Sequence, residues 1–348
     1  MSALKPPGDP LGDPLGHSGT RPADRLHRPL LWFATSMGAL ALVSAVGILT
    51  DDRVLVGVPI WTKPFKFSVS FVAYALSLAW MLSLLPRGRR VGWWAGTVVT
   101  VASAGEMILI VLQVIRGKQS HFNQATPFDN AVFQIMGGTV VVLWLGALVI
   151  AVLLLRARIL DRAMAWAVRL SSLIALAGAA VGFQMVPPTP EQLAVDNPPI
   201  AGAHAVGVPD GGPSMPLTGW ASNGGDLRIP HFFGMHALQL LPLLLLVMAS
   251  LAPRFARFAD ERVRLRLTLT ASAAYAATFV LLTWQALRGQ ALLAPDGATL
   301  AGAGAIVLLG GAAAALSLRG ASPSPSPSPS PSPPSPAPTA PPSEELTS

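Results

Sequence analysis

Eight runs of mostly apolar residues, each about twenty long, divide this chain, and no other feature restricts its fold as much. They occupy roughly 30–49, 65–85, 92–115, 131–155, 163–186, 231–252, 267–288 and 298–318. In hydrocarbon every backbone N–H and C=O must find its partner inside the protein, which helices and closed barrels achieve, and runs of this length match helices. Apolar residues make up 52% of the 348 and charged residues only 12%, a balance that one water-soluble core would not absorb. The expected fold is all-α: a multi-pass integral membrane bundle of about eight transmembrane helices.

An even number of spans places both termini on one face, and the basic residues choose which. Sixteen Lys and Arg fall on the termini and the loops after spans two, four and six: Lys5, Arg21, Arg25, Arg28; Arg87, Arg89, Arg90; Arg156, Arg158, Arg162; Arg254, Arg257, Arg262, Arg264, Arg266; and Arg319. Seven fall on the other face: Arg53, Lys63, Lys66, Arg116, Lys118, Arg228 and Arg288. Cytoplasmic loops carry the excess, so the expected topology is N-in and C-in, in the cell membrane. The net charge of +7 therefore reports topology and not nucleic acid, because the basic residues form no single stripe.

Residues 1–29, rich in Pro, Gly, Asp and Arg, read as a disordered cytoplasmic tail, and 30–319 as the membrane domain. Residues 320–348 carry a Ser-Pro repeat that neither propagates a helix nor fills a core, and read as a second disordered cytoplasmic tail. Between spans five and six, 187–228 holds Pro187, Pro188, Pro190, Pro198, Pro199, Pro209, Pro213 and Pro216, and reads as an extracytoplasmic cover, structured or mobile.

A charged side chain at mid-span costs about 2.5 to 3.5 kcal/mol on insertion scales, so polar positions in the spans are informative. Glu106, Gln113, Asn130, Gln134, Gln184, His236, Gln239 and Gln285 all fall in the outer half. The inner half holds Arg169, close enough to the cytoplasmic end to snorkel. The expected polar site faces the extracytoplasmic side. Its candidate residues are Lys63 and Lys66 around Pro64, Glu106, His121 and Asn123 beside Ser120, Asp129, Asp226, Arg228, His231, His236 and Gln239.

Several candidates have plainer readings. Lys63, Lys66 and Trp61 suit headgroup anchoring, and Thr126 with Asp129 is a T-x-x-D capping box. His231 and His236 are five apart, a poor spacing for one helical face unless His231 sits on the opening turn, whereas His236 and Gln239 share a face with Phe232. Pro242 breaks the hydrogen-bond ladder just below, freeing the Leu238 carbonyl. Pro64, Pro127, Pro230 and Pro295 stand where first turns begin, as punctuation or as a weak fourfold hairpin repeat.

Three chemistries fit these residues. In the first, the pocket binds or transports a small anionic or amphipathic ligand or lipid. Lys63, Lys66 and Arg228 supply charge, His121, His231 and His236 hydrogen bonds or proton coupling, and Glu106 a titrating group. In the second, His121, His231 and His236 hold Zn with Asp129 or Glu106, and Asp226 orients a ligand. That set is loosely similar to membrane ceramidase-like hydrolases, which place three histidines with nearby Ser and Asp on a helical bundle. The resemblance implies metal-dependent hydrolysis; the five-residue histidine spacing and the eighth span depart from it. In the third, His121 and His236 ligate haem, or copper with Met235 or Met107. Cysteine is absent, which excludes thiolate ligands, disulfides and C-x-x-C-H haem attachment. The expected partners are the lipid bilayer and a small-molecule ligand or lipid, with no nucleic acid.

Overall fold

The computed structural model describes residues 26–319, and these are mostly helical. Eight helices are long and apolar enough to cross a membrane: α1 (Arg28–Thr50), α2 (Thr62–Ser83), α3 (Arg89–Ile115), α4 (Pro127–Arg156), α5 (Arg162–Val181), α7 (Arg228–Leu251), α8 (Glu261–Leu287) and α9 (Gly297–Arg319). α6 (Pro190–Leu193) is a single turn in the long connection between α5 and α7. The two tails, 1–25 and 320–348, lie outside the described residues.

α1, α4, α5 and α8 start ahead of their apolar windows at a side-chain cap. α1 begins at Arg28 because His27 caps it: Nδ1 accepts from the Leu30 N–H at 3.2 Å and Nε2 donates to the Trp93 carbonyl at 2.9 Å. His27 is 3% exposed, so the last residues assigned by composition to the N-terminal tail belong to the fold. α8 begins six residues before its window, at Glu261, because Asp260 accepts from the Arg262 N–H at 2.7 Å. α5 ends early, at Val181, and passes into a 3-10 turn, Gly182–Met185. Of the four helix-opening prolines, Pro127 alone occupies a first helical position; Pro64 and Pro230 are third, and Pro295 precedes α9. The three inside helices sit where an N–H would have no intrahelical acceptor, so punctuation accounts for them.

α1 packs on α2, α2 on α3 and α3 on α4, while α5 packs against α7 and α8, and α8 against α9. The main apolar core, with Leu30, Phe33, Met81, Val99, Ile110, Met136 and Leu154, lies among the first five helices. α5 and α7 approach through glycine: a Cβ on Gly178 would fall 2.6 Å from the Gly234 Cα, so backbone meets backbone there. The connections that precede α2, α4 and α7 form a folded cap. It contains the antiparallel pairs β1 (Val54–Leu55) with β2 (Val58–Pro59) and β3 (Ala205–Val206) with β4 (Gly225–Asp226), and bridges Asn123 to Ile200 and Ser214 to Ala221. The proline-rich cover is therefore structured.

The Gly178 crossing is the tightest test of this packing. Gly178→Ala forces α5 and α7 apart and is expected to cost about 1 to 3 kcal/mol, read as a lowered melting temperature in detergent. An unchanged melt would contradict the crossing.

Candidate functional site

Beneath the cap lies a cavity of about 1240 Å³, walled mainly by α2, α4, α5 and α7 with Glu106 from α3. It exceeds the usual range of small-molecule pockets, about 300 to 1,000 Å³. Its roof comes from β1–β2, residues 118–122 and the cover from His204 to Ala221. Below the roof the walls turn mostly apolar: Phe67, Phe71, Tyr74 and Leu78 on α2, Met136, Val140 and Ile150 on α4, Ala175 and Leu176 on α5, and Leu238 on α7, with Ser172, His236 and Gln239 as polar members. At 1.5 Å per residue Leu78 lies about 24 Å along α2 from Thr62, most of a hydrocarbon thickness of about 30 Å.

Eight of the residues singled out in the sequence line this cavity: Lys63, Lys66, Glu106, His121, Arg228, His231, His236 and Gln239. Asn123, Asp129 and Asp226 do not line it, because the fold uses their polar atoms. Asp129 accepts from Arg116 at 2.5 Å, Gln113 Nε2 at 3.0 Å and Thr126 Oγ1 at 2.8 Å, while Thr126 Oγ1 accepts the Asp129 N–H at 3.1 Å. That knot ties the end of α3 to the start of α4. Asn123 donates to the Gln119 carbonyl and accepts from the Ala125 N–H, shaping the turn before α4. Asp226 takes Arg228 Nε at 2.9 Å and Nη2 at 2.6 Å and also accepts the Ala221 and Arg228 N–H groups, pinning the cover to α7.

The lining side chains form short strings. Lys63 Nζ donates to His121 Nδ1 at 2.9 Å, which leaves the His121 proton on Nε2, 3.5 Å from Glu106 Oε1. Thr139 Oγ1 donates to Glu106 Oε2 at 2.9 Å. Lys66 Nζ donates to the Thr218 carbonyl of the cover at 2.7 Å, and Arg228 reaches the Gly219 carbonyl at 2.8 Å. His231 lies in the first turn of α7 and donates Nδ1–H to the Gly178 carbonyl at 2.8 Å. His236 donates Nδ1–H to Gln239 Oε1 at 3.2 Å, and Gln239 Nε2 passes to Ser77 Oγ at 3.1 Å. These tautomers follow from the partners each ring meets.

The sequence reading missed His204 and Asp210. His204 Nδ1–H donates to Asp210 Oδ2 at 2.7 Å, and both line the cavity. The Asp210 carboxylate also accepts the His204 and Ala205 N–H groups, so it closes the cover loop as it orients the ring. The available signal was Gly207 and Pro209 between them, a turn that brings the ends of H-x5-D together.

His121, His231 and His236 do not make a ligand set: among the described residues no three or more His, Asp or Glu side chains group so as to hold a metal ion. His231 and His236 each spend one ring nitrogen on a partner of α5 or α7, and His121 stands between Lys63 and Glu106. The three histidines are therefore not gathered as a three-histidine Zn centre requires. No protein-family model, curated protein or solved structure matches the chain.

Outside the helices, burial drives His121 well below the ordinary histidine value, and the Lys63 ammonium adds to it. Burial likewise lowers His204, against the opposing pull of Asp210. For Asp210, burial would raise the carboxyl, yet hydrogen bonds from His204 and the backbone hold it at about 2. Both imidazoles thus bind a proton less readily folded than unfolded, where the value is 6.5. The stability they contribute is complete above that pH and is lost as pH falls towards the depressed folded values. The melting temperature is expected to fall on acidification from about pH 7 to about pH 5, and His121→Gln should flatten that slope. A wild-type profile without slope would contradict this.

Proposed function

We propose that this is a multi-pass protein of the cell membrane, N-in and C-in, whose cavity opens beneath an extracytoplasmic cover and binds an amphipathic acid. The acidic group, a carboxylate or phosphate, meets the lysines at the roof, and the apolar tail occupies the shaft. One observation carries this reading. Lys63 and Lys66 both line the cavity, yet neither has a carboxylate within 4.0 Å among the described residues. Removing an ammonium from water without a counter-charge is costly, so an anion from the ligand stabilises the arrangement. Arg228 contributes less, since Asp226 already neutralises it.

The depth of the shaft supports a second reading, carriage of the ligand between leaflets: it reaches Leu78 and Ile150, close to the far ends of α2 and α4. Hydrolysis has less support, given the ungrouped histidines.

Two experiments test the proposal. A hydrogen bond to a charged group contributes about 1.5 to 3 kcal/mol, so Lys66→Ala should weaken binding of hexadecyl phosphate by about tenfold or more while sparing hexadecanol. Equal effects on the two probes, or no effect, would count against an acid at the roof. For topology, the absence of cysteine gives a clean background. A thiol at exposed Ser222 in the cover should react with an impermeant reagent in intact cells, and one at exposed Arg257, between α7 and α8, only after permeabilisation. The reverse pattern would turn the cavity to the cytoplasm.

A further inference from the structure

Glu106 carries an oxygen that the fold leaves unused. The residue is 2% exposed and lines the cavity; Oε2 accepts from Thr139, whereas Oε1 has no hydrogen-bond partner among the described residues. His121 Nε2 stands 3.5 Å from it, outside good hydrogen-bond geometry. Buried polar atoms are almost always partnered, and one that faces a cavity takes its partner from what fills the cavity.

The chemistry of that partner is restricted by its neighbours. Lys63 already brings a positive charge to Glu106 through His121, and Lys66 adds another at the roof. A cationic group on the ligand would be repelled by both, so the donor is neutral. Its place along the ligand follows from depth. Lys66 reaches the cover at Thr218, whereas Glu106 lies nine residues before the end of α3 at Ile115, with Oε1 one imidazole away from Lys63: His121 Nδ1 is 2.9 Å from Lys63 Nζ and His121 Nε2 is 3.5 Å from Oε1. Beyond it the lining is mostly apolar, and His236 and Gln239 are engaged with each other and with Ser77. The order met by a ligand is therefore cation, then acceptor, then hydrocarbon.

We infer that the ligand is an amphiphile bearing a neutral hydrogen-bond donor, a hydroxyl or an amide N–H, between its acidic group and its tail, and that Glu106 Oε1 receives that donor. The inference rests on the amphiphile-binding reading and narrows it to a substrate class. Glu106→Gln provides the matching change: its carbonyl oxygen takes over the Thr139 hydroxyl, and its amide turns a second donor, in place of an acceptor, towards the ligand.

The test compares 1-acylglycerol 3-phosphate, with its free hydroxyl, against the 2-deoxy analogue of equal chain length, by titration of the purified full-length protein. The wild type should bind the hydroxylated probe about tenfold more tightly, and Glu106→Gln should bind the two probes alike. Equal binding of the two probes by the wild type means that water serves Oε1 and overturns the inference, leaving amphiphile binding intact. A preference that survives in Glu106→Gln overturns it as well. Binding of neither probe by the wild type overturns the amphiphile reading and this inference together. The wild-type comparison needs no variant, so it stands even if Glu106→Gln folds poorly.

Discussion

A bilayer's hydrocarbon offers the backbone no hydrogen bonds, and the departures from helix in this chain occur where that demand is met in another way. The cap shows how. Its two-residue strands satisfy few backbone groups, so side chains take the rest: Asp210 accepts the N–H groups of His204 and Ala205, Asp226 those of Ala221 and Arg228, and Gln192 Oε1 those of Thr189 and Gly202. A loop rich in proline has fewer donors to place, which makes such a scheme sufficient. Among the described residues, the one proline inside a spanning helix beyond its first turn, Pro242, falls in α7, which continues through it to Leu251, and Leu238, whose carbonyl Pro242 bypasses, stands at the cavity wall.

The same demand sorts the polar side chains into two groups, and saturation separates them. Asp129 and Asp226 are as buried as Glu106, but both oxygens of each carboxylate accept donors from neighbouring loops and helix ends. They hold connections together. Glu106 has one oxygen occupied and one free, and Lys66 is held by a carbonyl that leaves its charge uncompensated. A group whose hydrogen bonds are complete within the fold has no bonding left for a ligand; one left incomplete does.

The spans were legible in the sequence because apolar length is a local property, and so was the Thr126 and Asp129 cap, whose geometry needs three consecutive residues after the first. Helix ends were less so: hydropathy reports the length that lipid can cover, whereas caps such as His27 and Asp260 set where the helix starts. The candidate site was legible in part. Lys63, Glu106 and His121 stood out as polar residues in or beside apolar runs, but nothing in their spacing distinguished them from Asp129, because the distinguishing fact is the number of donors supplied by distant segments. His204 was hidden for the opposite reason. It lies in a loop where polar residues are ordinary, and only the folding of 187–228 onto the bundle brings it to the cavity.

The cavity's two ends impose opposite requirements on whatever fills it. A soluble anion would compensate Lys66 but leave the walls from Phe71 to Leu78 and from Val140 to Ile150 in contact with water, forfeiting about 25 cal/mol for each Å² of apolar surface that a tail would cover. A lipid tail without an acid would cover those walls but leave two ammonium groups desolvated opposite a single carboxylate, Glu106, that reaches one of them only through His121. Arg228 and Asp226 cancel within the fold, and Asp210 is engaged by His204 and the backbone, so neither supplies the missing negative charge. The proposed ligand, which joins an acid to a hydrocarbon chain, would relieve both ends at once, and the structured cover above it would keep the acid in a setting where its attraction to the lysines is little diluted by solvent.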